Sequence, residues 1–167
     1  MPKQLWWLIS AGVGVAALGG VLLFAQPAGH ETMNQTPTGE TLAVQLEPAN
    51  YDFGTISMKD GLVTKSFQVT NPQDQDLDLA TLYTSCMCTT VKLVLDGQEY
   101  GPFSMQGHGA MKMLNQKLRA SQKAQLLVTF DPNAHGPSGI GVIERSVSLQ
   151  SKQGEIASVG IKANVTP

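Results

Sequence analysis

Thr89-Thr90-Val91-Lys92-Leu93-Val94-Leu95, followed at once by Asp96-Gly97, is the stretch that decides the fold. Apolar residues at 91, 93 and 95 alternate with the rest, the two-residue period of a strand with one face buried. Asp-Gly supplies the positive backbone torsions of a two-residue hairpin turn. The chain therefore predicts a strand over 89–95, a turn, and a returning strand over Gln98 to Phe103.

The same pattern continues on both sides. Leu42–Leu46, Tyr51–Ile56, Val63–Thr70 and Leu77–Tyr83 read as strands upstream, with Asn71-Pro72 as a stop. Ala124–Phe130, Ile143–Gln150 and Ile156–Val165 read as strands downstream. Lys112 to Lys123 holds good helix formers but lacks an N-cap, and reads as a loop excursion. Short strands separated by turn signals predict an all-β fold, an Ig-like antiparallel β-sandwich over residues 42–167.

The N-terminus is different in kind. Leu5 to Ala25 carries no charged residue and is long enough to span a bilayer, so residues 1–25 read as a transmembrane anchor, with a cleaved signal peptide as the rival. Lys3 precedes the span and no Lys or Arg follows until Lys59. The positive-inside rule then places the N-terminus in the cytoplasm and the sandwich outside, in the extracytoplasmic or periplasmic space. Trp6 and Trp7 suit a membrane interface. Gly12, Ala16 and Gly20 share a helix face that would let another membrane or envelope protein pack closely, although small residues are common in any span. Residues 26–41 are polar with Pro and Gly, a flexible linker. The net charge of −2 without a basic stripe argues against a nucleic-acid partner.

Both cysteines of the chain lie in Ser85-Cys86-Met87-Cys88-Thr89, and Met105, His108, Met111 and Met113 follow within a short span. Thiolate, thioether and imidazole form the ligand set that favours copper(I). On a regular strand the Cα atoms of Cys86 and Cys88 would be about 6.6 Å apart, at the upper edge of disulfide geometry. That spacing suits one shared metal ion better than a relaxed disulfide. His108, between two glycines, is the favoured histidine, and His135 is a second candidate or a turn residue. Zinc is the second metal, since Cys86, Cys88, His108 and His135 make a Cys₂His₂ count. Plain packing of cysteine and methionine is the bland alternative.

Tyr51-Asp52-Phe53-Gly54, a strand closing on Thr70-Asn71, and Ser85-Cys86-Met87-Cys88-Thr89 resemble a bacterial Ig-like domain family of unknown function, DUF1573, related to Hydin-type Ig-like domains. The resemblance runs over roughly residues 44–165. The Cys-Met-Cys-Thr-Thr form, with Gly101-Pro102-Phe103, Gly107-His108-Gly109 and Phe130-Asp131-Pro132-Asn133-Ala134-His135-Gly136-Pro137, is similar to one subgroup. Met87 stands where the family commonly has Gly, and Ala120-Ser121-Gln122 where it often has Pro-Gly-Glu. The resemblance implies an exported β-sandwich and no particular activity.

No phosphate loop, Cys-x-x-Cys pair or haem attachment motif is present, and no spacing suggests a triad. Asp74, Asp76 and Asp78 lack the Gly and Glu of an EF-hand and read as a solvated strand end. The expectation is a non-enzymatic, single-pass membrane protein that binds or delivers copper through Cys-x-Cys. The alternatives are an envelope protein–protein interaction module and a thiol redox protein.

Overall fold

A computed structural model of the chain describes residues 44–107 and 112–167. The anchor and linker expected over residues 1–41 lie outside the described residues, as do His108 and Met111. Among the described residues no helix is long and apolar enough to cross a membrane.

The described residues form eleven strands in chain order: β1 (Gln45–Glu47), β2 (Asn50–Ser57), β3 (Val63–Thr70), β4 (Leu77–Leu79), β5 (Thr81–Thr84), β6 (Thr89–Leu95), β7 (Gln98–Phe103), β8 (Gln116–Leu118), β9 (Lys123–Phe130), β10 (Gly141–Ser151) and β11 (Gly154–Thr166). They form a five-stranded sheet β1-β3-β9-β6-β7, a four-stranded sheet β2-β11-β10-β5, and a two-stranded ribbon β4-β8. The two larger sheets enclose one core, so the all-β sandwich expected from the alternation is the observed architecture. Phe67, Val91, Leu93, Leu126 and Val128 come from the first sheet, and Val147, Leu149, Val159 and Ile161 from the second, all of them buried. Each alternates with more exposed residues along its strand, because successive side chains leave a strand on opposite faces.

The hairpin that anchored the reading is present. β6 pairs with β7, and the turn residues Asp96 and Gly97 have φ of 50° and 79°. Three expectations are corrected. The sandwich is not wholly antiparallel: β2 runs parallel to β11. The chain leaves the first sheet after β1 and enters the second as β2, so it meets the C-terminal strand running in the same direction. The single strand expected over 77–83 is split at Ala80. β4 joins the small ribbon and β5 the second sheet, with Ala80 N–H bonded to Gln150 O at 2.8 Å. The excursion over 112–123 contains β8, which pairs with β4.

Two features of the family pattern have structural roles. Gly54 has φ of 70° and donates its N–H to Asp52 Oδ1 at 2.7 Å, where the β2–β11 register shifts, so Asp-Phe-Gly forms a bulge that needs glycine's left-handed freedom. Asn71 is fully buried, and its Nδ2 donates to Gln75 O, Leu118 O and Arg119 O at 2.9–3.0 Å, while Oδ1 accepts from Gln73 N–H at 3.0 Å. It pins the loop after β3 against β8.

Candidate metal centre

The cysteine motif lies where the chain crosses from the second sheet (β5) to the first (β6). It is a turn, not a strand: Thr89 N–H donates to Cys86 O at 3.1 Å. Buried Thr84 braces it, its hydroxyl reaching Cys86 O at 2.8 Å and Thr89 O at 3.0 Å. The turn corrects the strand geometry assumed from the spacing. Instead of leaving one strand in parallel, the two side chains converge, and their Sγ atoms are 2.7 Å apart.

Two neighbouring parts of the chain, β10 and the segment after β9, close the site. Ser85 N–H donates to Ser146 O and Ser146 N–H to Ser85 Oγ, both at 2.9 Å, which extends the β5–β10 register beyond Thr84–Val147. One step further, Cys86 falls opposite Arg145, whose Nε donates to Cys88 Sγ at 3.3 Å. Beyond Phe130, the partner of Thr89, Asp131 N–H donates to Cys88 O at 2.8 Å. The segment from Asp131 then folds into turns, with Asn133 N–H bonded to Asp131 Oδ1 and Asn133 Nδ2 to Met58 O, at 2.8 and 2.6 Å. This loop delivers His135, with Nε2 3.2 Å from Cys86 Sγ.

The two thiols are inequivalent. Cys88 is 2% exposed, and burial together with its hydrogen bond to Cys86 pushes its pKa up, against the opposing pull of Arg145 and Thr89. Burial also pushes the half-buried Cys86 upward. Hydrogen bonds from the Cys88 thiol, His135 and the Cys88 N–H, with the charge of Arg145, outweigh it and lower Cys86 to about 7. The Cys88 thiol thus donates toward Cys86, the sulfur that ionises first.

Ligand atoms of Cys86, Cys88 and His135 all lie within 4.8 Å of one another, a group that could hold a metal ion. Two soft sulfurs and an imidazole fit a thiophilic ion of low coordination number. Among the described residues no fourth His, Cys, Asp or Glu joins them. Of the other residues expected at the site, Met105 is bridged to Thr84 through the backbone, close to the turn. Met113 is 52% exposed and adjoins Leu114, whose N–H donates to Ala80 O at 2.8 Å. Ala80 is at the far end of β5 from the cysteines, about 13 Å along the strand. Met87 points outward, 51% exposed, at the tip of the turn.

Arg145 was not among the residues singled out from the sequence. A signal for it existed: Ile143, Val147 and Leu149 are the inward positions of β10, and Arg145 is in phase with them. A charged residue on the core face of a strand calls for a partner.

Residues 44–101 match the model of a family described as a protein of unknown function, DUF1573. The likeness to this family is confined to that segment, about a third of the chain. The DUF1573 match includes the Asp-Phe-Gly bulge, Asn71 and both cysteines, and stops before His135 and Arg145. No curated protein matches. Among solved structures, the chain is similar to a protein of unknown function from Porphyromonas gingivalis W83. The TM-score is 0.52 and the identity 15%, over 78% of this chain and 51% of that one. This chain thus spans about half of that structure, and the likeness shows the fold alone. The secreted serine protease VesC from Vibrio cholerae gives a TM-score of 0.47 at 12% identity, over 75% and 24% of the two chains. The CooA pilin subunit from enterotoxigenic Escherichia coli gives 0.38 at 15% identity, over 75% and 99%. Neither of these carries a functional argument.

Proposed function

We propose that this chain is a membrane-anchored, extracytoplasmic metal-handling protein that binds copper(I) through Cys86, Cys88 and His135. The observation that carries the reading is the convergence of two thiol sulfurs and one imidazole nitrogen within 4.8 Å. The three groups come from parts of the chain almost 50 residues apart, Cys86 and His135 being separated by 49 positions. Three soft donors satisfy copper(I), whereas structural zinc takes four protein ligands. Cys86 is reachable from solvent and ionises near neutral pH, as exchange of an ion with a partner requires. The role is to hold and pass on the ion, not to transform a substrate. The uncharged segment Leu5–Ala25 and the positive charge before it support the anchor and its orientation.

The reduced full chain should bind about one equivalent of copper(I), and Cys86→Ser with Cys88→Ser should abolish binding. His135→Ala should weaken it without removing it. Copper retained at full stoichiometry in the double variant refutes the reading.

Thiol–disulfide exchange is the second reading, favoured by one specific observation: a half-buried sulfur of lowered pKa beside a fully buried one whose pKa is raised. It requires a disulfide that forms and opens reversibly with a small dithiol. A protein that binds no copper and cycles in this way would move the assignment to this class.

A further inference from the structure

We infer that Arg145 makes the site selective for a monovalent thiophilic cation over a divalent one. This inference rests on the metal reading above and adds a determinant of which ion is held. The guanidinium reaches Cys88 Sγ through Nε at 3.3 Å, and its Nη1 donates to the Glu144 carbonyl at 2.8 Å. The ion pairs among the described residues are Lys92–Glu99, Lys117–Asp78 and Arg119–Asp96, so none of these carboxylates is spent on Arg145. Its charge is aimed at sulfur from an inward-facing position of β10, paired with buried Ile161.

A guanidinium stays protonated under all ordinary conditions, so the site carries a fixed positive charge. Two ligand thiolates contribute −2, and Arg145 contributes +1. A monovalent ion brings the total to zero. A divalent ion leaves a net +1 beside a cysteine that is 2% exposed. Cys86 is half-buried and His135 exposed, so the site opens to solvent on that side, while on the buried Cys88 side Arg145 and a divalent ion would repel one another across a single sulfur. The hydrogen bond from Nε also fixes the orientation of Cys88 Sγ, the part that groups behind a ligand commonly take. Charge balance and orientation thus act together for a monovalent ion and against each other for a divalent one.

The test compares copper(I) and zinc(II) affinities of the reduced full chain, measured anaerobically against chromophoric chelators. The variants are Arg145→Gln, Arg145→Met and Arg145→Lys. Removing the charge should weaken copper(I) binding about 10- to 100-fold and leave zinc(II) binding unchanged or tighter, so the copper-to-zinc ratio falls. Arg145→Lys should keep the ratio near that of the wild type. Arg145→Met keeps an apolar stem at an inward position and supplies the charge-free comparison should Arg145→Gln not fold. Loss of both affinities by the same factor, or a ratio that does not move, overturns the role of Arg145 while leaving the metal site standing. Wild-type protein that binds neither ion overturns the metal reading itself. A merely structural role for Arg145 would not change the ratio.

Discussion

At the residue scale the chemistry depends on the inequivalence of Cys86 and Cys88. Alkylation of reduced protein should label Cys86 first, with a midpoint near pH 7, because its pKa is lowered to about 7. His135→Ala should move that midpoint upward, since one of the hydrogen bonds to the sulfur is lost. The linkage to stability has a definite sign. The Cys86 pKa is lower in the folded state, so its contribution is complete above the unfolded value of 9.0 and is lost as the pH falls through about 7. Cys88, shifted the other way, contributes below 9.0 and loses that contribution as the pH rises. The stability difference between wild type and Cys86→Ser, followed by urea denaturation, should therefore grow from pH 7 to pH 9. Asn71 is a residue of another kind. Asn71→Ala would orphan buried carbonyls and the Gln73 N–H, at about 1–3 kcal/mol for an unsatisfied group. A lower urea midpoint at unchanged slope would show this. The Asp-Phe-Gly and Thr-Asn signatures were legible as strand and stop. Their roles, a bulge and a buried loop anchor, depend on partners at Lys162–Asn164 and at Leu118 that are remote in sequence.

At the element scale the β6–β7 hairpin was the most readable part, because its period and its turn are both local properties. Gly97→Ala should cost about 1–2 kcal/mol. Its φ is 79° and a Cβ there would meet nothing within 4 Å, so the penalty is conformational and not steric. Thermal denaturation that leaves Gly97→Ala as stable as wild type would contradict this account of the turn. β4 and β5 were harder to read. Leu77–Tyr83 alternates as one strand would, yet Ala80 turns its backbone toward both Gln150 and Leu114 and divides it between two sheets. The Cys-Met-Cys segment is a turn for a similar reason. Nothing within it distinguishes strand from turn, and the turn is imposed by the crossing between sheets and by the hydroxyl of Thr84.

At the scale of the whole molecule β11 is the organising strand. It lies between β2 and β10 and buries Ala157, Val159, Ile161, Ala163 and Val165. Ending the chain at Gln153 should therefore abolish cooperative folding, not merely lower stability. Loss of the near-ultraviolet circular dichroism signal and of a denaturant transition is the expected outcome, and a truncated chain that still unfolds cooperatively would count against this architecture. The same scale assembles the site. The β5–β6 turn, the segment after β9, and β10 meet at one end of the sandwich and supply the two cysteines, His135 and Arg145 respectively.

Local residue patterns were enough for the all-β class, most strand positions, the hairpin, the family resemblance and the pair of cysteines in one motif. All of these depend on residue period, turn chemistry or motifs read within a few residues. Tertiary structure decided the parallel pairing of β2, the split at Ala80, the turn at the cysteines, and the choice of His135 and Arg145 as their neighbours. Those outcomes depend on which distant strands lie side by side. A period of two says which face a residue occupies, but not which loop or strand that face will meet.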